Sequence, residues 1–227
     1  MLQVFTIKVN DEIPDQLFQY ILKQVSSNRQ NKASRFNKRI DAIRCIVGEL
    51  LIRKVVMNKF GIANSSIIFS TNSYGKPLLL EPLQNFNISH SGDWVVCAIS
   101  NNSVGIDVEK IQDMDLELVQ YFFSELELLQ LYALTEHSRI DRFYSLWTAK
   151  ESYVKSVGHG LSIPFNSFNV LFNNDTQKFT LDLPNMHELY SIKHVSIDDN
   201  HKLAVCNKGE ISQIEIINMT LAKLLTN

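Results

Sequence analysis

The chain has 227 residues, a formal net charge of -2, and 45% hydrophobic and 20% charged residues. This is the make-up of an ordinary soluble globular protein, long enough for one large domain or two small ones that share a core. The near-neutral balance gives no electrostatic reason to expect nucleic acid or an anionic membrane as partner. No apolar stretch is long enough to span a bilayer, and no charged and then apolar leader opens the chain. Cys45, Cys97 and Cys206 are odd in number, widely spaced and set among apolar residues. They suggest core thiols rather than a disulfide framework or a zinc site, and the expected location is cytoplasmic.

Residues 2–9 alternate well enough for a strand, and 14–25 have helical apolar spacing through Leu17, Phe18, Ile21, Leu22 and Val25. A long helix is predicted over 40–59, with Ile43, Ile46, Val47, Leu50, Leu51 and Val55 inward and Gly61 closing it. A strand at 67–70 precedes the turn Tyr74-Gly75-Lys76-Pro77. Strands at 86–89 and 94–100 are joined by the predicted turn His90-Ser91-Gly92-Asp93, and another strand covers 104–109. Helical spacing returns at 116–132, and a second long helix is predicted over 139–157. Strands follow near 168–172, 179–183, 191–197 and 202–206.

The second half reads as a reprise of the first. Arg39-Ile40-Asp41 is echoed by Arg139-Ile140-Asp141, and Val96-Cys97-Ala98 by Ala204-Val205-Cys206. The echoes are short, but the order of elements repeats as well. The expected fold class is α/β (α+β), with two similar halves in pseudo-twofold arrangement. Each half would place a long helix on a small, mostly antiparallel sheet, with the active site at the interface. The halves are expected at 1–103 and 104–227.

Three carboxylates stand where folding alone does not require them. In Gly105-Ile106-Asp107-Val108-Glu109, the strand period of two puts Asp107 and Glu109 on one face and Val104, Ile106 and Val108 on the other. In Trp147-Thr148-Ala149-Lys150-Glu151-Ser152-Tyr153-Val154-Lys155, Glu151 lies one helical turn from both Trp147 and Lys155. That puts an acid at the edge of a face a helix normally buries, which is costly without a cation or a donor. Three acids without a Cys/His cluster suggest a hard, oxygen-loving ion such as Mg²⁺. An acid pair spaced by two is also ordinary on the outer face of an edge strand; the company of Glu151 and the lysines decides for a site. Arg29, Lys32, Arg35, Lys38, Arg39 and Arg44 fall close together with only Asp41 among them. They read as a solvated helix face or as a cradle for a polyanion.

The chain resembles the surfactin-synthetase-activating type of 4′-phosphopantetheinyl transferase. The resemblance rests on five motifs in order: Tyr74-Gly75-Lys76-Pro77, Phe86-Asn87-Ile88-Ser89-His90-Ser91, the Asp107 strand, Phe123-Ser124-Glu125-Leu126-Glu127 and the Glu151 helix. It implies Mg²⁺-dependent transfer of phosphopantetheine from coenzyme A to a serine of an apo acyl or peptidyl carrier protein, releasing 3′,5′-ADP. Asp107, Glu109 and Glu151 would hold the metal, with Glu151 also a candidate base. Lys155 would reach the phosphates, with Lys150 beside the site. His90, next to Ser89, would meet a coenzyme A phosphate, and Gly75, Lys76 and Pro77 would lie near the nucleotide. Arg44 would meet the 3′-phosphate, with Lys32 a second candidate. Arg29 stands where the family often has lysine. Asp107, His90, Glu151 and Lys155 form the implied catalytic group, supported by Glu127 and Trp147. Met114 and Leu116 are the candidates for an apolar carrier-docking patch. A monomer is expected, since two halves in one chain could supply an interface that shorter relatives make between subunits. A coenzyme A-binding module without turnover and a Mg²⁺-dependent phosphohydrolase are the competing readings. The intact carboxylates and lysines count against the first, and the lack of a nucleophile elbow, Walker loop or metal-binding His pair against the second.

Overall fold

The computed structural model describes residues 1–81, 84–113, 116–173, 178–183 and 188–226. The chain begins with β1 (Leu2–Lys8), α1 (Asp15–Leu22), α2 (Ser27–Ala33) and the long α3 (Arg39–Phe60). Next come β2 (Phe69–Thr71), β3 (Pro77–Leu79), β4 (Asn85–Ser91), β5 (Trp94–Ser100) and β6 (Val104–Lys110). A 3-10 segment at Leu116–Tyr121 leads to α4 (Glu125–Tyr132) and a second long helix, α5 (Glu136–Val157). The rest is β7 (Asn169–Asn173), β8 (Lys178–Asp182), β9 (Tyr190–His194), β10 (His201–Lys208), β11 (Ile214–Met219) and α6 (Leu221–Leu225). Among the described residues no helix is long and apolar enough to cross a membrane.

Two sheets and two helices stack in four layers. The first sheet has strand order β11-β1-β5-β4, and the second β6-β10-β9. All pairings in them are antiparallel except β1 with β11. Strand periodicity sorts the side chains. On β5, Val95, Cys97 and Ile99 face a core with Ile43, Ile46 and Val47 of α3. Val96 and Ala98 face the other way, meeting Leu2 and Val4 of β1 and Val104, Ile106 and Val108 of β6 between the sheets. A strand covered on both faces reads as the nearly unbroken apolar run Val95 to Ile99. On the outer side of the second sheet, Ala149 and Tyr153 of α5 pack with Ala204 and Cys206 of β10.

The α5 helix lies unusually close to β6. A Cβ on Gly105 would overlap the Ser152 carbonyl oxygen and the Ser156 nitrogen of that helix. This contact sets how far Asp107 and Glu109 stand from Glu151 and Lys155. Gly105→Ala is expected to destabilise the protein by about 1–3 kcal/mol through overpacking. Urea unfolding checks it, and an unchanged midpoint would contradict the close approach.

Both long helices appear where the spacing predicts, and Gly61 and Gly158 close them at φ +67° and +82°. Other elements differ from expectation. The predicted turn at 90–93 shrinks to Gly92 and Asp93, because β4 continues through His90 and Ser91. The helical stretch at 116–132 is broken at Ser124, which opens α4 with a capping box: its hydroxyl accepts from Glu127 N, and Glu127 accepts from Ser124 N. Helix α2 was not predicted; it is polar almost throughout and starts on the Ser26 cap. Strands β3 and β11 and helix α6 were likewise missed.

Candidate functional site

The site grows from the free edge of β6. Edge strands need partners for their outward N–H groups, and here β4 supplies them with side chains. Asn87 Oδ1 accepts from Ile106 N at 2.9 Å, and Ser91 Oγ accepts from Lys110 N at 3.1 Å. Between them Ser89 Oγ donates to Asp107 Oδ1 at 2.8 Å, while Ser91 Oγ donates to Glu109 Oε2 at 2.7 Å. Asn87, Ser89 and Ser91 thus form one alternating row that grips both acids. Sequence reasoning gave Ser91 to a turn and so missed its part. Continued period-two spacing through Ser91 was the available signal.

From the other side, α5 presents Glu151 and Lys155. Lys155 Nζ meets Asp107 Oδ1 at 2.5 Å and Ser89 Oγ at 3.2 Å. Burial opposes the Lys155 charge, but Asp107, Glu151 and Glu109 more than offset it and hold the ammonium. The acids fare differently. Burial pushes the Asp107 carboxyl up, with Lys155 only partly opposing. Burial and then repulsion from Asp107 push Glu109 up to about 7. Burial also raises Glu151, and Asp107 adds to it. Asp107 Oδ2 is buried without a hydrogen-bond partner.

As placed, no three His, Cys, Asp or Glu side chains among the described residues group closely enough to hold an ion. The donor set nevertheless fits a hard cation: three carboxylates in one field, each driven toward neutrality, and one orphaned buried oxygen.

A cluster of cations adjoins the acids. His90 is lowered by lost solvation and by the charges of Arg44, Lys155 and Lys32. Arg44 is aimed by two contacts, Nε to Gly92 O at 2.7 Å and Nη1 to Asp41 at 2.6 Å. Arg44 and Lys155 already meet Asp41 and Asp107, but with Lys32 and His90 beside them the cluster still favours a further anion. Beyond them lies a groove of about 450 Å³, lined in part by Arg29, Lys32, Phe69, Gly75, Pro77 and Ile88. Arg29 is steadied there by Glu49, which also accepts from Ser26 N and Arg53 Nε. A larger groove of about 800 Å³ runs along β9 and β10 and contains none of the sequence-predicted site residues.

Two predicted contact residues are not brought to this surface. Lys150 is fully buried on another face of α5. Its Nζ bonds Glu127 Oε1 at 2.8 Å and the carbonyls of Phe165 and Phe168 at 2.5 and 2.7 Å. Glu127 goes with it into the interior, accepting from Val170 N at 2.7 Å. Lys76 turns its ammonium to the Val104 and Ser156 carbonyls. Trp147 anchors an aromatic cluster with Phe122, Phe143 and Phe165. Met114 lies outside the described residues, as does the Leu116 side chain.

Residues 103–206 match the 4′-phosphopantetheinyl transferase superfamily, and 13–102 match the 4′-phosphopantetheinyl transferase N-terminal family. The 4′-phosphopantetheinyl transferase gsp of Aneurinibacillus migulanus is 37% identical over 224 residues, covering 99% of this chain and 92% of the relative. The 4′-phosphopantetheinyl transferase Sfp of Bacillus subtilis is 36% identical over 206 residues, covering 90% of this chain and 92% of the relative. The solved structure of a holo-(acyl-carrier-protein) synthase from Bacillus anthracis in complex with CoA aligns with 48% of this chain and 96% of its own, at TM-score 0.41 and 21% identity. The two close relatives span nearly the whole chain, and on that ground this protein belongs to the 4′-phosphopantetheinyl transferases.

Proposed function

We propose that the protein transfers 4′-phosphopantetheine from coenzyme A to a serine of an apo acyl or peptidyl carrier protein, with Mg²⁺, and releases 3′,5′-ADP. The observation that carries the reading is the adjacency of a basic cluster, Lys32, Arg44, His90 and Lys155, to three carboxylates of which Asp107 alone has a direct ion pair among the described residues. A diphosphate with a divalent cation answers both needs at once.

Asp107, Glu109 and Glu151 would hold Mg²⁺. Bound there, the ion would neutralise charge on the diphosphate oxygens. Arg44 and His90 would take phosphate groups, with Lys32 beside them. Arg29, Gly75 and Pro77 would line the nucleotide groove. Lys155 would stabilise charge that develops as the diphosphate breaks. The carrier serine oxygen forms a bond to the pantetheine-side phosphorus, and the bond from that phosphorus to 3′,5′-ADP breaks. The serine proton passes to Glu151, directly or through water. Lys150, Glu127 and Trp147 support this machinery from within. Residues 1–103 would supply the phosphate-binding surface and 104–227 the metal wall. Met114 and Leu116 are the candidates for carrier docking, and Tyr121 and Phe122, which follow them in the chain, are exposed apolar side chains. Action as a cytoplasmic monomer completes the reading.

Mass spectrometry tests it. An apo carrier incubated with coenzyme A and Mg²⁺ should gain one phosphopantetheine arm. No gain with several acyl and peptidyl carriers would sink the proposal. Release of 3′,5′-ADP without an acceptor would favour a phosphohydrolase instead.

Protonation gives a second check. Lost solvation and then the charges of Arg44, Lys155 and Lys32 hold the His90 imidazole below its ordinary value, and a bound phosphate would oppose the part due to the charges. Coenzyme A binding without Mg²⁺ is expected to take up protons, and affinity should weaken as pH rises from about 6 to 8. Calorimetry in buffers of different ionisation enthalpy measures the uptake, with His90→Gln as the control. Heats that do not depend on the buffer would contradict the assignment.

A further inference from the structure

The turn between β2 and β3 touches two things at once. Asn72 builds it: Oδ1 accepts from Tyr74 N at 3.0 Å and from Lys76 N at 2.9 Å. One side of the turn faces the nucleotide groove through Thr71, Gly75 and Pro77. The other side closes on the end of α5. Asn72 Nδ2 donates to the Gly158 carbonyl at 2.8 Å. Lys76 Nζ donates to Ser156 O at 3.0 Å and to Val104 O at 3.1 Å. The Tyr74 ring lies 4.9 Å from that of His159.

Carbonyls in the last turn of a helix have no partner within it, and that end carries partial negative charge. A cation and an amide from a distant turn help to meet both needs, beside Ser103 Oγ, which also donates to the Ser156 carbonyl. The fit is close, since a Cβ on Gly158 would stand 2.9 Å from Lys76 Cδ. Burial lowers the Lys76 ammonium to about 8, as suits a group enclosed by protein rather than poised at an open phosphate site. Ser156 directly follows Lys155, whose ammonium reaches Asp107 and Ser89. The cap therefore sits one residue from the site.

We propose that Asn72 and Lys76 are positioning residues that cap α5 from the β2–β3 turn, so that occupancy of the groove beside Gly75 and Pro77 sets the placement of Lys155 and Glu151. The inference rests on the transferase reading for what fills the groove. Lys76 acts through the helix end and does not touch the diphosphate.

The test separates binding from turnover in Lys76→Met. The coenzyme A Kd, measured by calorimetry, should stay within about twofold, while kcat for carrier modification falls about tenfold or more. Lys76→Arg, which keeps a cation, should recover part of the loss. A tenfold weaker Kd would make Lys76 a ligand contact and overturn the proposal, as would unchanged kinetics. Should Lys76→Met fail to fold, Asn72→Ala is read in the same way. Hydrogen exchange gives a readout apart from activity: coenzyme A should slow exchange at residues 153–158 in the unaltered protein and not in Asn72→Ala. Equal protection in both, or none in either, overturns the coupling. A protein that shows this protection but modifies no carrier would instead defeat the transferase reading.

Discussion

Replacing Lys150 with methionine is expected to destabilise the protein by about 3–5 kcal/mol, the usual effect of breaking a buried ion pair from one side. Both Lys150 and Glu127 are fully buried. Methionine would remove the cation and leave the Glu127 carboxylate with backbone donors from Ser124 and Val170 alone. The Phe165 and Phe168 carbonyls would also lose their donor. Unpaired buried polar groups carry their full desolvation penalty. Burial pushes the Lys150 ammonium down, and Glu127 opposes that in part. Urea unfolding of the single variant and of Glu127→Gln/Lys150→Met decides the matter. The double variant should recover a large part of the loss, because the uncompensated charge is gone. A loss under about 1 kcal/mol in the single variant would mean that the pair is not closed from water.

Asp107→Asn is expected to lower kcat by about 10²-fold or more, with little change in unfolding midpoint. The two halves of this expectation have different origins. Asp107 is 2% exposed, and burial already disfavours its carboxylate. Asparagine retains an acceptor for Ser89 while removing a charge that the fold does not favour. What is lost is the anion that faces Lys155 and shares a field with Glu109 and Glu151. Transfer rates against Mg²⁺ concentration, read beside thermal melts, separate the two effects. A variant within about twofold of the unaltered rate would remove Asp107 from the metal wall. Glu151→Gln should show a comparable loss of rate.

The parts of the site that were legible in the sequence are those encoded by short-range periodicity. Alternation along β6 placed Asp107 and Glu109 on one face, opposite Val104, Ile106 and Val108. Helical spacing placed Glu151 with Lys155. The parts that escaped are set by contacts between distant segments. Nothing near Lys76 announces that its ammonium will meet a carbonyl 80 residues further on. Lys150 had a local signal: Leu146, Lys150 and Tyr153 share one helical stripe, and its neighbours there are buried. A lysine in that stripe implies a buried partner. His90 was placed in a turn because its neighbours are turn formers. The row of Asn87, Ser89 and Ser91 reaching to β6 keeps it in the strand instead. Strand β11 was missed because its parallel partner, β1, lies at the other end of the chain.

That last pairing bears on the order in which the protein is made. β1 is synthesised about 212 residues before its partner, so Leu2 waits for Ile214 and Ile7 for Met219. At about 5–20 residues per second, the gap is roughly 10–40 s. Through that interval one side of β1 offers unpaired backbone groups, the kind of edge on which foreign strands add. The wall that carries Arg44 and His90 thus passes through a sticky adolescence, which ends only when β11 closes it.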